Sequence, residues 1–271
     1  MRKAFTLIEL VVAIGVLAMV LSFASAIFKI SIDSQRTAIA NAEIMQKLRT
    51  ITDQLDADFK GVIRTCRGRL DNETANVNAD RTVFFAEGDF QSVRQYRYVK
   101  SDGTQGLKTV CGNVASIFYG QAADAHADVD PNIDPFTGSP KEKILVRRQT
   151  ILTSDSSLLD ADSSPVGEFY KCSPAEVNLN SNLDVDALIV RPYLDPHSPA
   201  DLVIYMVKGV DNFTIEWSEG NINSGRIQWL RSPSGPLTIF PKALKFTFTL
   251  YDSKSILKEG RTFTHILYLE N

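Results

Sequence analysis

Between Phe5 and Phe28 the only ionisable side chain is Glu9, in the stretch FTLIEL. A charge near the centre of a membrane helix costs roughly 2.5–3.5 kcal/mol on insertion scales, so such a group has a counter-charge or a function. Arg2 and Lys3 precede it, and the next cation after it is Lys29. The other residues suited to chemistry are scattered. Of the histidines, His126 and His197 lie in loop-like sequence, whereas His265 alternates with Phe263 and Leu267 and reads as a face residue of a strand. No nucleophile elbow, H-E-x-x-H helix or phosphate-cradling glycine loop is present, and no pair of carboxylates is marked as acid and base. The chain therefore reads as a non-enzyme with no metal and no cofactor.

Three weaker constellations have bland readings that fit better. Asp128, Asp130, Asn132 and Asp134 alternate like part of a calcium loop, but the Gly at the sixth position and the Glu at the twelfth are missing, so a solvated acidic loop is expected. Arg94, Arg97, Lys100 and Lys108 interleave with Tyr96 and Tyr98, which could suit nucleic acid; a solvated hairpin face is the simpler reading, and no nucleic acid is expected. Trp217 and Trp229 read as a core or cross-strand pair. With 29 Lys+Arg against 32 Asp+Glu there is no global field to attract a polyanion. Cys66, Cys111 and Cys172 are too few and too dispersed for a zinc framework. A Cys66 to Cys111 bridge, both following the long helix, is the preferred pairing, with three buried thiols as the alternative.

The elements that position these residues follow from patterning. Leu10 to Phe28 is a run of nineteen uncharged residues, enough to cross a bilayer as a helix with Arg2 and Lys3 on the cytoplasmic side. Beyond it Ile44, Leu48, Ile51, Leu55, Phe59 and Val62 recur at steps of three and four, and no Pro or Gly interrupts Val16 to Lys60. One helix is thus expected over 5–64, transmembrane over about 5–28 and amphipathic afterwards, stopped by Gly61 and the Cys66-Arg67-Gly68 sequence. The rest, 65–271, reads as a β-rich head. Arg81–Ala86, Val93–Val99 and Leu107–Cys111 suggest strands with a turn at Ser101-Asp102-Gly103. A loop-rich insertion follows at about 112–186, with polar loops at 120–140 and 154–186. Strands resume at Ala187–Val190, Leu202–Val207, Phe213–Trp217, Arg226–Leu230, Ala243–Tyr251 and Arg261–Leu269, an antiparallel meander with one face buried.

Three origins compete for the N-terminal segment. A cleaved secretory signal would use Ala24-Ser25-Ala26, and a plain anchor would explain everything except Glu9. The third is a resemblance: Lys3-Ala4-Phe5-Thr6-Leu7-Ile8-Glu9-Leu10 resembles the class III signal of type IV pilins and type II secretion pseudopilins. The resemblance implies cleavage by prepilin peptidase between Ala4 and Phe5, which leaves 1–4 as a cytoplasmic leader, and N-methylation of Phe5. It makes Glu9 the fifth mature residue, acting in subunit assembly opposite a neighbour's cationic N-terminus. Ala4 departs from the Gly that the family normally carries.

The C-terminal half adds a finer resemblance. Val207 to Trp217, Trp229, Pro241 to Leu250 and Arg261-Thr262-Phe263 are similar to J-class minor pseudopilins, and minor type IV pilins of the PilW kind share much of this layout. The resemblance implies a pilin-like α+β fold in which the long helix packs on an antiparallel sheet. It implies an inner-membrane, single-pass chain with a periplasmic head that helps initiate and cap a pseudopilus. The implied partners are I- and K-class minor pseudopilins, the major pseudopilin, prepilin peptidase and membrane lipid. The alternative is a minor pilin acting in pilus assembly, adhesion or DNA uptake.

Overall fold

The computed structural model describes residues 7–64, 68–72, 78–124, 139–159, 167–172, 188–194, 203–220, 222–223, 226–231, 235–236 and 240–269. It opens with a single helix, α1 (Leu7–Lys60), whose 54 residues extend roughly 80 Å at 1.5 Å per residue. Fourteen strands follow among the described residues. They are β1 (Arg69–Asp71), β2 (Arg81–Val99), β3 (Gln105–Gln121), β4 (Ala123–Asp124), β5 (Ile144–Thr153), β6 (Phe169–Lys171) and β7 (Tyr193–Leu194). After these come β8 (Tyr205–Lys208), β9 (Val210–Ser218), β10 (Ile222–Asn223), β11 (Arg226–Ile227), β12 (Gly235–Pro236), β13 (Ala243–Leu250) and β14 (Arg261–Tyr268).

A seven-stranded sheet runs β12-β1-β2-β3-β5-β6, with β8 also on β5, and a three-stranded sheet runs β14-β13-β9. Both sheets pack on the second half of α1. Ile44, Ile51, Leu55 and Phe59 form one core with Phe84, Ile117 and Tyr119 of the larger sheet and Phe213, Phe246 and Phe248 of the smaller. Phe59 is the hinge point of that core, stacked on Phe84 at 4.0 Å between ring centroids and tilted on Phe246 at 5.8 Å. This is the pilin-like α+β architecture that the resemblance implied.

Several sequence expectations change in detail. The runs Arg81–Ala86 and Val93–Val99 belong to one strand, β2, bent by register shifts between Glu87 and Phe90 and between Gln91 and Gln95. Such bulges kink a strand without ending it, which made one strand look like two. The supposed insertion at 112–186 contains the last part of β3, all of β5 and β6, so it supplies the middle of the large sheet. Its strands were hidden because both faces are covered: Val83, Phe85, Phe118, Val146 and Leu152 pack under Leu188, Ile189 and Leu194 on the face away from the helix. A doubly buried strand loses its alternation. Leu188–Val190, expected as strand, instead runs from a helical Leu188 through a turn at Ile189, and both side chains supply this cover. The acidic stretch Asp128 to Asp134 lies outside the described residues.

α1 ends at Lys60 rather than Arg64 because the chain turns at once onto β2. Glu87 N–H donates to Gly61 O at 2.7 Å, Ile63 N–H donates to Phe85 O at 2.8 Å, and Val62 bridges Ala86. A Cβ at Gly61 would stand 2.2 Å from the Glu87 carbonyl oxygen, so only glycine permits this approach. We expect Gly61→Ala to destabilise the head by about 1–3 kcal/mol in chemical denaturation followed by circular dichroism. Gly15→Ala is the control, since nothing lies within 4 Å of its added Cβ and no loss is expected.

Candidate functional site

Two halves of α1 meet opposite surroundings. From Leu7 to Ile39 its large apolar side chains are exposed, Leu7 at 81 % and Phe23 at 65 %, whereas Ala40, Ile44, Ile51 and Leu55 are at 1 % or less. The most apolar eighteen-residue window has a mean hydropathy of 2.6 with none of it buried, so the helix is long and apolar enough to cross a membrane. Its polar side chains suit that role: Ser25 Oγ donates to Leu21 O at 2.9 Å, which satisfies the hydroxyl inside the helix. Glu9 sits in the first turn, where the helix dipole favours a carboxylate. Ala4 and Phe5 lie outside the described residues.

The helix is fixed to the head through polar contacts set among the apolar ones. Tyr119 and Arg147 are direct cross-strand partners on β3 and β5, and both aim at Asp58. Arg147 holds the carboxylate bidentately, Nε to Oδ2 at 2.6 Å and Nη2 to Oδ1 at 2.7 Å, while the Tyr119 hydroxyl donates to Oδ2. Burial and then the Asp58 charge push the Tyr119 phenol far above its ordinary value. Burial alone would lower the Arg147 guanidinium, but the Asp58 contact reverses that and holds it above its usual value. About three to four turns back along α1, Lys47 Nζ donates to Tyr251 O at 2.7 Å, and Ser253 N–H and Oγ donate to Glu43 at 2.9 and 3.1 Å. Burial would raise the Glu43 carboxyl, yet Lys47 and Ser253 hold it below the usual carboxylate range. His265, expected as a face residue of a strand, stands on β14 with Nε2 2.9 Å from Asp56 Oδ1.

A second buried carboxylate joins the two sheets. Asp80 Oδ2 accepts from Asn72 Nδ2 and from Ile215 N–H, both at 2.8 Å, and Asp80 N–H donates to Phe213 O. Sequence reading gave this residue and Asp58 no role of their own, because residue type does not say which of several Asp is buried; only the fold brings donors around them.

The remaining candidates are structural. On the basic hairpin, Arg94 lies 3.6 Å from Glu168, and Lys108 pairs with Asp155 and lies 4.6 Å from the Tyr98 ring centroid. Trp217 and Trp229 bracket a cross-strand contact in which Trp217 and Leu230 exchange both backbone hydrogen bonds, and Lys245 caps the Trp229 ring at 5.0 Å. Cys111 is a free, exposed thiol and does not form the bridge to Cys66 expected above. The chain leaving α1 pairs antiparallel at Ala86 and so heads toward Arg81, whereas Cys111 stands opposite Gln91 on the other side of that bridge. Cys66, His126 and His197 lie outside the described residues. Cys172 is buried. Among the described residues no group of three or more His, Cys, Asp or Glu could hold a metal.

The site is thus a membrane-competent helical surface held rigidly by a head. The family model described as the prokaryotic N-terminal methylation motif matches residues 1–25, a span that includes Ala4, Phe5 and Glu9. Searches of curated proteins and of solved structures returned no match. The motif and the long apolar helix on a β-sheet make a type-IV-pilin-like arrangement, that of a single-pass membrane protein with an extracytoplasmic domain. Its role is structural in the manner of pilins and pseudopilins.

Two measurements probe the anchorage. Asp58→Ala leaves Arg147 without its counter-charge and is expected to cost about 3–5 kcal/mol, while Asp58→Ala with Arg147→Met recovers most of that loss in denaturant titration. The Glu43 tie is complete above the ordinary carboxylate value and fades as pH falls through the lower folded-state value. Glu43→Gln should therefore be less stable than the parent chain by about 0.5–1 kcal/mol near pH ~7, and the difference should shrink as pH falls below the ordinary carboxylate range.

Proposed function

We propose that the chain is a J-class minor pseudopilin of a type II secretion system, which helps initiate and cap the periplasmic pseudopilus. The observation that carries the reading is the bare first half of α1: its own head covers nothing from Leu7 to Ile39, yet fixes the second half firmly. A subunit built this way buries its exposed half in lipid before assembly and against neighbouring helices afterwards. The succession Val207 to Trp217, Trp229, Pro241 to Leu250 and Arg261 to Phe263 supports the J class. Prepilin peptidase would cut before Phe5, and methylation would keep the new amine cationic. A neighbour's Phe5 amine is then a counter-charge for Glu9 when the filament core excludes water. The partners would be I- and K-class minor pseudopilins and the major pseudopilin. A minor type IV pilin in assembly, adhesion or DNA uptake is the alternative favoured by the PilW-like layout, and neighbouring genes for a secretin and pseudopilins, or for a retraction ATPase, would separate the two.

Co-expression with prepilin peptidase should shorten the protein by the four leader residues and add one methyl group in intact-mass measurement. Cleavage after Ala26 would overturn the reading. Glu9→Ala is expected to lower co-purification with I- and K-class partners by about tenfold, the equivalent of roughly 1.4 kcal/mol, without changing the stability of the head.

A further inference from the structure

Strand β5 has one continuous edge and one interrupted edge. Toward β3 it is paired without a break from Leu145 to Leu152. On the other side β8 covers Ile144 to Val146 antiparallel, and β6 covers Ile151 to Thr153 in parallel. The margins of the gap are clear: Arg147 N–H donates to Ile204 O at 3.0 Å, and Ile151 N–H donates to Glu168 O at 2.9 Å. Backbone groups along a strand alternate sides every residue. The N–H and C=O of Gln149, midway between Arg147 and Ile151, therefore face out into the gap. Among the described residues no strand pairs with Arg148 to Thr150 on this side.

The gap opens on a cavity of about 460 Å³ bounded by Arg148, Gln149, Glu168, Val203 and the bulged part of β2 at Ser92 and Arg94. That is within the roughly 300–1,000 Å³ usual for ligand sites. Among the described residues that line it, Arg94, Arg147, Arg148 and Arg191 stand against the single carboxylate of Glu168. Arg147 is already neutralised by Asp58, but Arg148 is not neutralised in this way. It is 5 % exposed, donates Nη1 to Val190 O at 3.0 Å and Nη2 to Leu188 O, and rests 4.9 Å above the Phe118 ring. All of these partners are uncharged. A buried cation held only by neutral groups retains a large desolvation cost, which an approaching carboxylate offsets.

We propose that this gap is a docking slot for an extended acidic peptide segment of a partner protein, which adds to β5 as a short strand, bonds the Gln149 backbone and sets a carboxylate beside Arg148. Strand addition provides the affinity through main-chain bonds, and the guanidinium selects the acidic side chain. The slot lies on the head, whereas the exposed helical surface spans Leu7 to Ile39 of α1.

A fluorescein-labelled, N-acetylated heptapeptide alternating valine with aspartate, titrated onto the full chain in detergent micelles, tests this. The lysine counterpart and an aspartate peptide with a central proline are expected to bind about tenfold more weakly or worse. Gln149→Pro removes the outward N–H together with the side-chain contacts of Gln149 to Arg147 and Gln91, so it should weaken the aspartate peptide about tenfold, whereas Gln149→Ala, which removes the same side-chain contacts and keeps the N–H, should bind the peptide like the parent chain. Arg148→Gln should abolish the preference for aspartate over lysine; if that variant does not fold, Gln149→Pro and the proline peptide decide. Hydrogen exchange at the Gln149 amide should slow when the peptide binds. Equal binding of the two charged peptides, or no binding, would overturn the proposal. So would a Gln149 amide protected before peptide is added, which means the chain's own sequence fills the slot, or displacement of the peptide by acetate at equal concentration.

Discussion

The structure depends on one rod meeting two solvents. α1 must satisfy lipid or neighbouring helices along its first half and a protein core along its second, and an unbroken hydrogen-bonded helix is the form in which a chain can make that crossing without stranding backbone groups. The boundary falls near Ala40, where exposure collapses. A rod this long transmits any looseness at its base as a large displacement at its tip, so its fixation to the head is the critical contact. Apolar packing of Phe59 between Phe84 and Phe246 supplies the area, and the Asp58, Arg147 and Tyr119 cluster supplies direction. Dispersion and burial are tolerant of small rotations, whereas a bidentate carboxylate contact is not.

The head is organised to provide that base. The large sheet offers one face to α1 and covers the other with the turn around Leu188, so β2, β3 and β5 are held from both sides. The small sheet closes over the remaining flank of the helix, and Asp80 ties the two sheets by accepting from Asn72 and from the backbone of Ile215. Between β8 and β6, where no described strand pairs with β5, the proposed slot would let another chain complete the sheet.

Much of this was legible in the residues. The helical stripe Ile44, Ile51, Leu55 and Phe59 falls on the buried face, because a 3.6-residue repeat in an amphipathic helix survives any tertiary context. The strict alternation of Ala243 to Tyr251 returns as the central strand of the small sheet for a similar reason, since one of its faces is less buried than the other. Legibility failed where both faces are covered, as in β3 and β5, and where a bulge cut β2 into two apparent strands.

The sequence by itself determined the properties that are local or periodic: basic residues ahead of FTLIEL, an apolar span, a helical stripe, and alternating strands in the C-terminal half. These depend on residue type at fixed spacing, which the chain carries whatever it folds against. Only the tertiary structure decided the rest. Asp58 and Arg147 are far apart in the chain, Asp80 and Ile215 likewise, and nothing in their local sequence marks them as partners. The same holds for the edge at Gln149, which no described strand covers because β8 and β6 stop short of each other. Long-range pairing of single residues has no periodic signature, since it is set by how sheets and helix are stacked and by the cost of leaving a buried charge without a partner.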